Sequence, residues 1–238
     1  MESTVEPRGA MSRAWLILET SGRVGRVGLS RGGAIVRAAN LDDTRRHARD
    51  LAQTVGELLK VESLSPRDLA GVMVSRGPGS YTGLRVGLMS AKALAYATGC
   101  KLIAVETFAA IAWQSPPEAA SVWVIADALQ NHVYVQRFAR SSTGTILEAD
   151  ELRIVKLEEW SGWVAPGTWV TGPGVKVYAN RVPQECLPVT EEDREPRVES
   201  LFAVGQMLRP LTKEELFALE PLYLRGSSAE EKAKAEGR

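Results

Sequence analysis

The stretch from Gly71 to Gly99, GVMVSRGPGSYTGLRVGLMSAKALAYATG, decides the fold: an apolar run of strand length, a glycine-rich turn, then enough residues for a helix of several turns. Gly79, Gly83, Gly87, Ala91 and Ala95 recur every four residues, so a helix here carries one face with almost no side chain. Such a face admits another backbone at short distance. Glycines inside a helix, at ~1 kcal/mol each relative to alanine, need a packing reason of this kind. The turn could instead offer N–H groups to a phosphate. Against that, GPGSYTGLR lacks the Lys-Ser/Thr pair of a Walker loop, does not match G-x-G-x-x-G, and loses a donor at Pro78.

Upstream, AWLILET, VGRVGLS and AIVRAANL are short apolar or alternating runs separated by SGR and RGG, which predicts a three-strand meander. The next segment, DTRRHARDLAQTVGELLK, places Ala48, Leu51, Ala52, Val55, Leu58 and Leu59 on one helical face, with Asp43 or Thr44 as N-cap. Helices are thus expected over about Thr44 to Lys60 and Ser80 to Thr98. Downstream, KLIAVET reads as a buried strand and FAAIAW as a short helix. Three strands, helix, strand, helix, strand, helix is the order of a ribonuclease-H-like mixed sheet.

The second half begins again. VWVIADALQNHVYVQRFAR repeats the device of a strand ending in an acid, a polar turn and a second strand, with Asp127 placed as Glu19 is; ILEADELRIV would be its third strand. The proline-containing link QSPPEAAS marks the lobe boundary. The expectation is an α/β chain of two lobes, 14–115 and a smaller 120–225, flanked by disordered polar extensions at 1–13 and 226–238, with Met11 as an alternative start.

Composition narrows the function classes. Among 238 residues, 29 basic and 29 acidic side chains cancel, so no global field draws nucleic acid or an anionic membrane. Cys100 and Cys186 lie far apart with no Cys-x-x-Cys spacing, as expected of buried thiols in a reduced compartment. No run approaches the ~20 apolar residues of a membrane span and the N-terminus lacks a signal-peptide core, so a cytosolic protein is expected.

SRGPGSYTGLRVGLMSAKALA resembles the signature of the bacterial TsaB family, also called YeaZ. ILETSGRVGRVGL, RRHARDLAQTVGELL, KLIAVETFAAIA, VIADALQNHVYVQRF, VTGPGVKVY and LEPLYLR follow in that family's order, so the likeness runs from about Ala14 to Arg225. It implies the two-lobed actin/Hsp70/sugar-kinase-like fold, a duplicated ribonuclease-H-like unit. It implies an accessory role in making threonylcarbamoyladenosine beside the tRNA anticodon. The implied partners are a paralogous catalytic subunit, TsaD, and an ATPase, TsaE. By the same implication transfer RNA is met only through the complex, and a homodimer and a monomer are both open to the chain when the partner is absent.

The catalytic paralogue binds metal through an H-x-x-x-H pair; the matching positions here are Thr107 and Ile111, neither able to replace imidazole. His47 and His132 are the only histidines, and neither has a second ligand at i+3 or i+4, so structural roles and no metal are expected. The family's first strand ends Asp-Thr-Ser, whereas this chain has Glu19-Thr20-Ser21. An extra methylene displaces the carboxylate from where a magnesium-bound phosphate would need it. Glu19, Thr20, Ser75, Gly77 and Gly79 would therefore line a vestigial nucleotide cleft with weak ATP or ADP binding and no cofactor. The resemblance also places the partner interface on the two long helices, through His47, Leu51, Val55, Leu58, Gly83, Leu84, Gly87, Leu88, Ala91 and Ala95. The competing assignment buries those same faces in the chain's own core.

The leading reading is a noncatalytic scaffold. An active phosphotransferase or metallopeptidase of the same fold is the alternative; it would require a phosphate loop anchored by aspartate, or a histidine pair. A free-standing tRNA binder would require a basic stripe interleaved with aromatics.

Overall fold

The computed structural model describes residues 14–41 and 47–222, with the backbone alone for 47–49. The N-cap at Asp43 or Thr44, the side chain of His47 and both terminal extensions lie outside the described residues. The meander forms as β1 (Ala14–Glu19), β2 (Arg26–Arg31) and β3 (Ala34–Asn40), antiparallel in succession. After α1 (His47–Val61) come β4 (Leu69–Gly77), α2 (Tyr81–Thr98), β5 (Lys101–Glu106) and α3 (Thr107–Trp113). β4 lies parallel to β1 and β5 parallel to β4, so the first sheet has the order β3-β2-β1-β4-β5.

Burial on both faces explains the continuous apolar runs. Leu16 and Leu18 of β1 face Leu51 and Leu58 of α1 and Leu88 and Ala91 of α2, while Trp15 and Ile17 face the other way. That opposite face is covered by α6 (Val198–Gly205), through Val198, Leu201, Phe202 and Val204. Residues 198–222, expected in the second lobe, thus return to the first. The apolar face of α6 finds there the sheet surface that α1 and α2 leave open, and the amide of Leu222 donates to the carbonyl of Arg76 (2.7 Å).

The second sheet repeats the first. β6 (Ser121–Asp127) and β7 (His132–Arg140) are antiparallel; β10 (Trp169–Thr171) is parallel to β6 and β11 (Leu187–Pro188) to β10. The predicted third strand is instead two short ones on β7, β8 (Ile146–Glu148) and β9 (Arg153–Lys156). They are divided because the amides of Ala149 and Asp150 both donate to the Arg137 carbonyl, which bulges the chain. α4 (Leu157–Ser161) and α5 (Gly174–Val177) complete this lobe; α7 (Lys213–Ala218) lies beyond α6. Between the lobes, α3 packs Phe108, Ile111 and Ala112 onto Val122, Val124 and Phe138 of the second sheet. Cys100 and Cys186 are free thiols, and burial pushes both up.

Candidate functional site

Ser80 caps α2 by accepting from the Gly83 amide, and the amide of Ser80 donates to the carbonyl of Ser21 (2.8 Å). The end of α2 is thereby set against the end of β1, and the glycines make this approach sterically permissible. A Cβ at Gly79 would lie 2.5 Å from the Ser21 carbonyl oxygen, one at Gly83 2.0 Å from the Thr20 carbonyl oxygen, and one at Gly87 2.1 Å from Thr20 Oγ1. The turn is therefore not an open phosphate cradle: the backbone it admits is the chain's own.

Glu19, Thr20 and Ser75 come together as expected, but fully buried. Oε1 of Glu19 accepts from the amide and hydroxyl of Ser21 (both 2.6 Å) and from the amide of Gly22 (3.1 Å), and Ser75 Oγ accepts from the Thr20 amide. Gly77, also buried, lies against Leu222; only Gly79 of the five is exposed. Oε1 is thus committed to its own turn, while Oε2 is buried with no hydrogen-bond partner among the described residues. Burial pushes the Glu19 carboxyl above the usual carboxylate range, opposed by the Ser21, Gly22 and Ser75 hydrogen bonds. The folded chain holds this proton more tightly than the unfolded chain, so its contribution to stability is fullest below the ordinary carboxyl pKa and is lost as pH rises through the raised value. Glu19→Gln is expected to flatten that fall and raise the melting temperature at neutral pH. Melts across about pH 4 to 8 check it, and an unchanged slope would count against a buried, proton-holding Glu19.

The second lobe's acid is engaged likewise. Asp127 Oδ1 accepts from the Leu129 amide (2.8 Å) and the Tyr178 hydroxyl (2.6 Å), and the Tyr178 phenol is pushed up to about 12, first by burial and then by Asp127. Thr107 and Ile111 are buried on α3, Ile111 against the second sheet, and His132 Nδ1–H donates to the Gln130 carbonyl (2.8 Å). Among the described residues, no group of three His, Cys, Asp or Glu side chains could hold a metal.

The expected interface residues need correction. Leu51, Leu58, Gly83, Leu84, Gly87, Leu88, Ala91 and Ala95 are all buried inside this chain, and Val55 is half-buried against the same core. The small stripe faces inward because only glycine and alanine fit between α2 and β1. The outward face of α2 is Thr82, Arg85, Met89, Ala93 and Tyr96, with Met89 65% and Tyr96 76% exposed. Phe217 of α7, 56% exposed, packs edge-on against Tyr96 (6.4 Å between centroids). Sequence reasoning missed this patch, although the spacing of Met89 and Tyr96 on the face opposite the glycines signalled it.

Two sheets of matching strand order, each opening on a hairpin whose first strand ends in an acid, define a two-lobed protein of the actin, Hsp70 and sugar-kinase class. The model of the family TsaD, tRNA N6-adenosine threonylcarbamoyltransferase, matches residues 41–187. The tRNA threonylcarbamoyladenosine biosynthesis protein TsaB of Escherichia coli is 28% identical over 199 residues, 78% of this chain and 83% of that protein. A Mycobacterium tuberculosis protein is 30% identical over 79% of both chains. YeaZ from Pseudomonas aeruginosa superposes with a TM-score of 0.75 at 24% identity, over 89% of this chain and all of that one. The chain belongs to the TsaB (YeaZ) family.

Proposed function

We propose that this chain serves the synthesis of threonylcarbamoyladenosine on tRNA as an accessory subunit, docking the outward face of α2 onto a TsaD-like catalytic paralogue. The carrying observation is the exposed apolar patch that Met89 and Tyr96 of α2 form with Phe217 of α7. α1 packs against α2, and its exposed small residues Ala52 and Gly56 permit close approach beside the patch. Relatives named for this biosynthesis support the pathway. The role is noncatalytic: the acids at both hairpins are held by their own turns, and the family's metal positions carry Thr107 and Ile111. ATP and ADP bind the Glu19 cluster weakly at most, since helix α2 and Leu222 fill it. A TsaE-like ATPase joins the same cytosolic complex, tRNA is met through that complex, and two copies pair through the same face when the partner is missing.

The test is co-expression with the TsaD-like subunit of the same genome, followed by size-exclusion chromatography and transfer assays. A stable heterodimer is expected, with threonylcarbamoyl transfer only when both subunits are present. Transfer by this chain alone, or no association, would overturn the reading.

A further inference from the structure

The second lobe carries a pocket on the face of its sheet turned away from the first lobe. Ile125, Val133 and Val135 on this face pack with Leu157 and Trp160 of α4 and Val175 of α5. Beside that core, Trp123 and Val135 floor a cavity of ≈280 Å3, with Trp163, Asp150, Glu151 and Arg153 around it.

Strand register builds the floor. Trp123 of β6 stands opposite Arg137 of β7, and Val135 opposite Arg153 of β9, so all four side chains leave the sheet on one face. The bulge at Ala149 and Asp150 carries the next segment across the same end, where Arg137 Nε donates to Asp150 Oδ2 (2.8 Å). The Arg137 guanidinium also lies over the Trp123 ring, 5.8 Å from its centroid. Trp163 is fixed from α4: its amide donates to the carbonyl of the fully buried Trp160 (2.9 Å), and its ring stands 6.2 Å from that of Trp123, tilted by 34°.

The charges divide into a closed pair and an open one. Arg137 and Asp150 neutralise each other. Arg153 and Glu151, two positions apart and both exposed, close no ion pair or side-chain hydrogen bond among the described residues. The pocket is therefore neutral as a whole, yet it offers one free guanidinium and one free carboxylate beside two indoles. A simple anion there would be repelled by Glu151, and a simple cation by Arg153. A molecule bearing both charges on an apolar body answers every group: a carboxylate takes the fork of Arg153, and an ammonium takes Glu151. The apolar part then covers the ring of Trp163, which is 41% exposed.

We propose that this pocket binds a free α-amino acid with an apolar or aromatic side chain, its carboxylate on Arg153, its ammonium on Glu151 and its side chain against Trp163. Apolar walls with a few convergent polar groups are the usual make-up of a small-molecule site, and the volume suits a molecule of this size. The site shares no residue with the α2 face or with the Glu19 cluster.

The test is calorimetric titration of the full chain with L-phenylalanine, its amide, its N-acetyl derivative and glucose. L-Phenylalanine is expected to bind. The amide lacks the carboxylate and the N-acetyl form lacks the ammonium, so each should bind about tenfold or more weaker, the worth of one hydrogen bond to a charged group. Arg153→Gln and Glu151→Gln, at exposed positions, should each weaken L-phenylalanine by a similar factor at unchanged melting temperature. The losses should also pair: Arg153→Gln no longer distinguishes the acid from its amide, and Glu151→Gln no longer distinguishes it from the N-acetyl form. No binding of L-phenylalanine, or binding that neither substitution weakens, would overturn the proposal. Tighter binding of glucose than of L-phenylalanine would overturn it as well, because a sugar uses the indole face without separated charges.

Discussion

Gly83→Ala is expected to lower the melting temperature by roughly 6 to 12 °C, at the upper end of the ~1–3 kcal/mol range for overpacking, with each kcal/mol worth about 2–4 °C in a chain of this size. The new methyl carbon would lie 2.0 Å from the Thr20 carbonyl oxygen. That oxygen cannot yield cheaply, because the turn is fixed by Ser75 at the Thr20 amide, by Glu19 at Ser21 and Gly22, and by the Ser80 amide at the Ser21 carbonyl. Either α2 moves off β1, disrupting the packing of Leu84 and Leu88, or the turn breaks its hydrogen bonds. Gly56→Ala is the matched control, in the interior of α1 with nothing near the added carbon. It should gain the ~0.5–1 kcal/mol that alanine holds over glycine in a helix. Differential scanning fluorimetry on the pair decides the matter: equal melting temperatures for Gly83→Ala and the parent would mean the stripe is not an internal contact.

Tyr96→Asp should act in the opposite compartment, leaving folding intact and loosening the proposed catalytic partner by about thirtyfold or more, the ~2 kcal/mol expected of a central aromatic anchor. Tyr96 is exposed and touches Phe217 by a single edge contact, so losing it costs the fold little. Met89→Asp on the same face should weaken association in the same direction. Binding measured by surface plasmon resonance, beside the melting temperature of each variant, separates this outcome from Gly87→Leu. That substitution strikes Thr20 and is expected to impair folding first. Wild-type affinity in both aspartate variants would remove the α2 face from the proposed assembly.

Much of this architecture was legible because local periodicity carries it. The meander, the strand from Leu69, the helix opening at about Ser80 and the acid-turn repeat at Glu19 and Asp127 follow from patterns of two, four or a few residues. What a face meets is a different matter. Spacing by four places Gly83, Gly87 and Ala91 together, but whether a smooth face serves this chain or another depends on what lies opposite, which is set by residues some sixty positions earlier. The return of α6 to the first sheet was hidden for the same reason: Val198, Leu201 and Phe202 form an apolar helix face, with nothing local to name the surface that receives them.

The placement of α6 also bears on the order in which the protein can be made. Trp15, Ile17, Met73, Ile103 and Val105 have all left the ribosome about a hundred residues before Val204, the last of the helix residues that cover them. At ~5–20 residues per second, the nascent sheet carries a bare apolar face for roughly 5–20 s. The second lobe can assemble in that interval, since its sheet is closed by its own helices and by α3. The first-born lobe is therefore the last to be finished, and during synthesis it is the lobe whose sheet waits longest for its cover.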